Sequence, residues 1–516
     1  MRQADEPPSS PEAVGAMDVG DGHGAASGRG VDSDHSAGSV MKGVRDSSER
    51  RALTAGLLLT VTLVALESLA VATVMPQVRA DLGGYDLYGW VFSGFFLASL
   101  VGIVVGGPAA DRRGLVVPYG GGLGLFAVGL VVAGAAGSME VLVVGRVLQG
   151  LGAGAVPAAS YAAIARAFTS EERPRIFAMM STAWVVPGLL GPAVAAWVEH
   201  ALSWRWVFFG LLPFVAVAAA MCVRPLSRVP RAVGSSQTSS GLADGAPVSS
   251  PTVDASAGGT STAARVARVA VLVSGVGALF VVATGVPMAA AVVLATMGPV
   301  AAGWAFVGLV PAGTVRFAAG VPATVAVKGL LTWCFFQADA YVSLLVVDGR
   351  GSSTFMAGAA LSASSVLWAV GSWVQARRIG DRGPRALVGT GFVVVIVSLV
   401  MATGVALGAP VWVIVVAWGV SGFGVGLAYA PLSVVVLAAA PPGEEGAASA
   451  ALQLCDVLGV AVGTGLGGAA VAIGDVRDWS VSSAVAIAFA MATAVAFVGL
   501  AGSRRIPASV PATTVA

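Results

Sequence analysis

The sequence predicts an all-α membrane protein of about fourteen transmembrane helices, arranged as two six-helix bundles with an additional two-helix hairpin between them. Composition, the spacing of apolar segments and the placement of basic residues carry that prediction. Of 516 residues, 56% are hydrophobic and only 11% charged, whereas soluble globular chains carry about 25% charged residues. The formal net charge of +2 gives no reason to expect a nucleic-acid partner.

Residues 1–50 are rich in Gly, Ser, Asp and Pro and contain no apolar run. They read as a disordered cytoplasmic tail rather than a cleaved signal peptide, so the first helix directs insertion. A spanning helix needs roughly 20 largely apolar residues. Six such segments form an N-terminal bundle within 51–223, at about 54–77, 88–110, 117–137, 140–164, 176–198 and 205–223. A flexible cytoplasmic linker of Ser, Gly, Thr and Ala occupies 224–268. The apolar run 269–311 exceeds one span, and Thr284 to Pro287 (TGVP) offers a turn, so it is expected to form a hairpin that crosses twice or lies in the interface. Six more segments make a C-terminal bundle within 312–505, at about 321–347, 354–376, 386–407, 410–438, 447–473 and 480–502, followed by a cytoplasmic tail, 506–516.

Charge placement fixes parity. A single crossing by 269–311 would put Arg377, Arg378, Arg382 and Arg385 outside, against the positive-inside tendency, so an even number is required. With both termini cytoplasmic in a plasma membrane, Arg79, Arg205, Arg350 and Arg477 are external and Arg146 is intramembrane. About 24 of the 29 Lys and Arg are then cytoplasmic. Two sets of six suggest a duplicated bundle with a site between the halves. Glu67 and Asp339 lie in the first helix of each half, and basic turns follow each, at Gly106 to Gly114 and Gly371 to Gly383.

Ionisable groups in hydrocarbon are costly, about 2.5–3.5 kcal/mol each on insertion scales, and mark function by default. Glu67, Arg146, Asp339 and Asp456 are the candidates for proton coupling, with Gln149, Gln337 and Gln453 as polar neighbours. Burial disfavours a charged carboxylate and a nearby arginine favours it, so a carboxylate between those influences can load and release protons. The plainer alternatives are a structural ion pair between Glu67 and Arg146, and satisfied interhelical contacts for the two aspartates. Trp184, Trp333, Phe336, Tyr429 and Tyr161 offer aromatic faces to an organic cation, or serve as packing and interfacial anchors. Pro187, Gly188, Gly191 and Pro192 read as a bendable seam, or as helix packing in a Gly-rich chain.

From about Leu53 to Arg505 these features resemble the major facilitator superfamily, and within it the fourteen-helix drug:proton antiporters. Gly107, Asp111, Arg112 and Gly114 fit the family's G-x-x-x-D-R-x-G turn, which implies a cytoplasmic latch between the halves; Leu115 and Val116 stand where a basic pair is usual. GRVLQGLGAG (Gly145 to Gly154) is similar to the fourth-helix motif, which implies a proton-transfer role for Arg146. PGLLGPAVAA (Pro187 to Ala196) resembles the fifth-helix antiporter motif, with Ala195 and Ala196 in place of closing glycines. LESLAVATVMP resembles the first-helix signature of the drug exporters, with Glu67 where aspartate is commoner. WRWVFFGLLP (Trp204 to Pro213) resembles the sixth-helix entry, with Leu211 where asparagine is usual.

The resemblance implies a major facilitator fold and export of amphipathic or cationic organic compounds against proton entry, by alternating access, with protons as coupling ion and a monomer as the working unit. The alternative is a proton-linked or facilitative carrier of one metabolite, including an uptake system. No P-loop occurs, so an ATPase engine is not expected. Cys222, Cys334 and Cys455 are unpaired in spacing. His23 and His35 fall in the tail and His200 outside, so neither a metal site, a cofactor nor an enzymatic constellation is expected.

Overall fold

A computed structural model describes residues 47–168, 185–229, 262–282, 287–440 and 445–509, together with Glu172, Ile176, Met179, Met180 and Ala183. Those residues fold as helices joined by short turns. In lipid every backbone polar group must be satisfied within the segment, and an α-helix does this for each apolar run in turn. The helices are α1 (Ser47–Leu82), α2 (Tyr85–Arg113), α3 (Val116–Gly134), α4 (Met139–Ala167), α5 (Val185–Ala201), α6 (Arg205–Phe209) and α7 (Leu212–Ser227). They continue as α8 (Thr262–Val281), α9 (Met288–Val307), α10 (Val321–Leu344), α11 (Thr354–Ala406), α12 (Val413–Ala438), α13 (Glu445–Val476) and α14 (Val481–Ser503). Caps set several ends: Ser353 Oγ accepts from Met356 N at 3.3 Å, and Ser480 Oγ from Ser483 N at 3.2 Å.

Twelve helices among the described residues are long and apolar enough to cross a membrane. Two features separate this number from the expected fourteen. The 53-residue α11 contains Gly383 at φ 71°, ψ 163°, which breaks it into two helices. At 1.5 Å per residue an unbroken rod of that length would be about 80 Å, far beyond the ~30 Å hydrocarbon core. Only glycine fits there, because a Cβ would overlap the Ala508 carbonyl oxygen. The other is α5, which has 17 described helical residues and follows a stretch outside the described set. Of the expected hairpin turn, Thr284 to Pro287, residues 284–286 also lie outside that set. Its flanking helices α8 and α9 pack on each other at Gly275 and Gly298. Helix α1 starts at Ser47, about two turns ahead of the expected span.

In the first half α2 and α3 pack on α4, and α1 packs on α5 and α7. In the second, α10 packs on α13 and α14, and α11 on α12 and α14. Between halves α2 meets α13, α5 meets α11 and α1 meets α10; α8 lies against α2 and α13. The same glycine packing recurs in both halves. A Cβ on Gly150, Gly152 or Gly154 of α4 would run into the carbonyl oxygen of Phe95, Gly122 or Ser99. On Gly422, Gly424 or Gly426 of α12 it would run into that of Ser364, Gly391 or Trp368. The second set of glycines follows the first by 272 positions, and the second set of carbonyls follows the first by 269. Such close backbone approach is how small residues pack helices in lipid. Apolar side chains cover the outer surface, among them Trp197, Met297, Val300 and Trp304, each more than half exposed.

Candidate functional site

Glu67, Arg146 and Gln149 come together where α1, α2 and α4 meet. Glu67 and Gln149 are fully buried and Arg146 is 1% exposed. Arg146 Nη1 donates to Glu67 Oε1 and, at 2.8 Å, to Gln149 Oε1. Its Nε donates to the Val91 carbonyl at 3.0 Å, and the guanidinium lies 4.4 Å from the Phe95 ring centroid. Spacing explains the convergence: Arg146 and Gln149 are three apart on one helix face, and Gly150 lets α2 approach closely. Glu67 Oε2 and Gln149 Nε2 are buried without a hydrogen-bond partner among the described residues. A buried ion pair is favourable only when its remaining lone pairs are satisfied, so this one carries an open valence.

Asp339 is 8% exposed and accepts from Trp418 Nε1 at 2.8 Å. Trp418 stacks on Phe335 (5.7 Å, 15°) and Phe489 (6.4 Å, 20°). Asp339 and Trp418 follow Glu67 and Arg146 by 272 positions each. The duplication therefore preserves a carboxylate on the first helix facing a donor on the fourth, with an indole in place of the guanidinium.

The third centre corrects the placement of Lys328 among cytoplasmic basic residues. Lys328 is 2% exposed, inside α10. Its Nζ lies 3.9 Å from Asp456 Oδ1 of α13 and 2.6 Å from the Tyr429 ring centroid of α12, and donates to the Tyr429 carbonyl at 3.3 Å. Tyr429 Oη donates to Asp456 Oδ2 at 2.8 Å. At position eight of its helix, Lys328 looks in the sequence like a side chain able to snorkel to the interface. Packing by α12, α13 and α14 closes that route.

Of the residues expected to line a cavity, Gln149 belongs to the Arg146 cluster. Gln337 donates to the Ala488 carbonyl at 2.7 Å and accepts from Trp333 Nε1 at 2.8 Å, so both ends of its amide are engaged. Phe336 lies 6.4 Å from Trp368, which lies 5.4 Å from Tyr429. Gln453 is half-buried on α13. Trp184 and the side chain of Tyr161 lie outside the described residues.

Pro187, Gly188, Gly191 and Pro192 are buried in α5. A Cβ on Gly188 would stand 2.7 Å from Ser365 Cβ, and one on Gly358 3.2 Å from the Pro192 carbonyl oxygen, so both motif residues touch the second half. Gly191 faces Leu66 of α1. Gly107 and Asp111 lie in the last turns of α2, Arg112 is exposed, and Gly114 ends the helix at φ 82°, a conformation glycine adopts without a Cβ penalty.

Sequence reasoning missed the polar bridge between the halves. Arg79 of α1 pairs with Asp348, just past α10, at 2.7 Å; Tyr85 Oη donates to the same Asp348 oxygen at 3.3 Å; and Gln77 hydrogen-bonds to Thr354. Charges at helix ends read as solvated anchors in a sequence. Only the fold shows that these ends face each other.

Known proteins agree with this architecture. The family model for the Major Facilitator Superfamily matches residues 57–378. The probable multidrug-efflux transporter Rv1634 of Mycobacterium tuberculosis is 29% identical over 433 residues, covering 80% of this chain and 85% of that one. The multidrug transporter protein MdtP of Bacillus subtilis is 30% identical over 179 residues, 35% of this chain and a third (33%) of MdtP. In fold the chain is similar to an auto-inhibited POT family peptide transporter (TM-score 0.63, 15% identity, 89% of this chain and 99% of that one). It is also similar to a D-xylose-proton symporter (TM-score 0.58, 14% identity, 89% and 98%). With its duplicated helical bundle and a family match over more than half its length, the chain is a multi-pass membrane transporter that belongs to the Major Facilitator Superfamily.

Proposed function

We propose that this transporter is a proton-coupled exporter of amphipathic organic compounds that works by alternating access. The observation that carries the reading is the buried pair of Glu67 and Arg146, in which Glu67 Oε2 has no hydrogen-bond partner among the described residues. An intramembrane carboxylate with an open lone pair is a place for a proton to bind, and protonation weakens its tie to Arg146, biasing α1 against α4. The names of the relatives, multidrug transporters in two bacteria, support organic compounds as cargo. Asp339 and Asp456 are the further proton-handling groups in this reading, and protons are the coupling ion with no other cofactor.

The break at Gly383, the 17-residue α5 and the paired α8 and α9 support fourteen spans, the hairpin inserted between two six-helix bundles. Both termini then lie in the cytoplasm of a plasma-membrane protein, and the Arg79 and Asp348 bridge closes the outer end. Helix α5, held to α11 through Gly188 and Pro192, is the seam on which the halves rock. The test is ethidium flux in everted membrane vesicles under an imposed pH gradient. Acid inside the vesicle is expected to drive ethidium inward in the wild type and not in Glu67→Gln. Wild-type flux of ethidium and of neutral and anionic probes alike that ignores the gradient would sink the reading.

A further inference from the structure

The Glu67 and Arg146 pair leaves unexplained why the second half keeps a lysine inside α10. Lys328 is almost fully enclosed, yet its contacts are poor. The nearest carboxylate oxygen, Asp456 Oδ1, is 3.9 Å away and is buried without a hydrogen-bond partner among the described residues. The Lys328 hydrogen bond to the Tyr429 carbonyl is long at 3.3 Å. Its closest neighbour is the face of the Tyr429 ring. Salt bridges that merely stabilise an interior need good geometry and full hydrogen bonding to offset desolvation, and this one has neither.

The surroundings are those of a cation site. Tyr429 presents a ring face and also orients Asp456 through its hydroxyl at 2.8 Å. Trp368 lies 5.4 Å from Tyr429, and Phe336 lies 6.4 Å from Trp368. Aromatic faces beside a carboxylate are the recognition chemistry of an organic ammonium or a delocalised aromatic cation. The Asp456 side chain is 21% exposed while that of Lys328 is 2% exposed, so an incoming ligand meets the carboxylate first and the lysine ammonium stands behind it. Among the described residues the groups in contact with Lys328 are Asp456, with Cys455 beside it, on α13 and Tyr429 on α12, while α1 and α11, which also touch α10, form no ion pair with it. Helix α14, which also packs on α10, carries no ionisable residue between Val481 and Ser503.

We propose that Asp456, Tyr429, Trp368 and Phe336 form a subsite for a monovalent organic cation, and that the ammonium of Lys328 is its resident cation, giving up a proton each time substrate enters. The inference rests on the exchange reading above and names the class of cargo. When a substrate cation settles against Asp456 and the ring of Tyr429, one N–H bond of Lys328 breaks and the electron pair stays on Nζ. The proton leaves past Asp456 to water at its exposed edge. One positive charge enters and one leaves, so the buried site never holds two cations. On the other side of the membrane a proton returns to Nζ and the substrate is expelled. Lysine suits this role and arginine does not, because lysine can release its proton in a buried site and a guanidinium keeps its own.

The test uses full-length protein in detergent and in proteoliposomes, with ethidium as the probe and a monodispersity check on each variant. Proton and cation binding that exclude one another are reciprocally linked, so the wild type is expected to release about one proton per ethidium bound. Lys328→Gln is expected to bind ethidium with no proton release and to keep only the share of pH-driven flux that Glu67 supplies. Lys328→Arg is expected to fold and to lose ethidium binding and pH-driven flux. Proton release and pH-driven flux at wild-type levels in either variant would overturn the proposal by reducing Lys328 to a fixed structural charge. A wild type that exchanges protons for neutral or anionic compounds and not for ethidium would overturn the cation assignment while leaving proton-coupled export standing. Wild-type flux of every probe indifferent to the pH gradient would overturn the exchange reading, and this subsite with it.

Discussion

Trp418 Nε1 donates to Asp339 from the place in the second half that Arg146 holds toward Glu67 in the first. The same fold thus carries one carboxylate beside a fixed positive charge and another beside a neutral donor. In the proposed exchange reading, two acids in such different settings divide the work of holding and releasing a proton. Their pairing across the duplication also makes each half a control for the other.

Glu67→Gln and Arg146→Gln are expected to behave differently from their double variant. Removing one partner of a buried pair strands the other charge, at a cost of about 3–5 kcal/mol, whereas removing both leaves neutral amides that hydrogen-bond to each other. Thermal unfolding in detergent checks this: each single variant melts well below the wild type and the double variant recovers. A double variant no more stable than the singles contradicts the assignment of the cost to stranded charge.

Trp418→Phe keeps the stack on Phe335 and Phe489 while removing the donor to Asp339. A buried acceptor left unpaired costs about 1–3 kcal/mol, so this variant is expected to be destabilised by that amount. Asp339→Asn still accepts from the indole through its amide oxygen and should unfold within about 1 kcal/mol of the wild type. Equal stability of Trp418→Phe and wild type would show that the hydrogen bond contributes nothing.

Much of this organisation was legible in the sequence, because lipid allows few solutions and each apolar run declares its helix. Glu67 stood out as a charge far from either helix end, and Arg146 and Asp339 as charges within apolar runs. The match of VLVVGRVLQGLGAG with VIVVAWGVSGFGVG was also present, and it places Trp418 opposite Asp339 once the halves are aligned. Lys328 was not legible, since depth in a bilayer cannot be read from distance to a helix start when neighbouring helices block the exit. The pairing of Arg79 with Asp348 depends on how two distant helix ends meet, which periodicity does not encode.

Glycine substitutions separate packing from mere abundance. Gly154→Ala and Gly426→Ala each place a Cβ on a facing carbonyl oxygen, that of Ser99 or Trp368, so helices must separate. Both are expected to lower the yield of folded protein several-fold. A Cβ on Gly124 of α3 meets nothing within 4 Å, and Gly124→Ala should be neutral or stabilising by about 1 kcal/mol from helix propensity. Monodisperse yield by size-exclusion chromatography ranks the three, and equal yields would remove the argument from close approach.

The bridge between the halves predicts a state-dependent cross-link. Gln77 and Thr354 are hydrogen-bonded across the halves beside the pair of Arg79 and Asp348, so cysteines at 77 and 354 on a background lacking Cys222, Cys334 and Cys455 are expected to form a disulfide readily. Oxidation should stop transport, because the closed end can no longer open, and reduction should restore it. Asp348→Ala removes the acceptor shared by Arg79 and Tyr85, and should lower the cross-linking rate by shifting the population toward the state open at that end. Fast cross-linking with unimpaired transport would mean that these residues stay together throughout the cycle and that the halves part elsewhere.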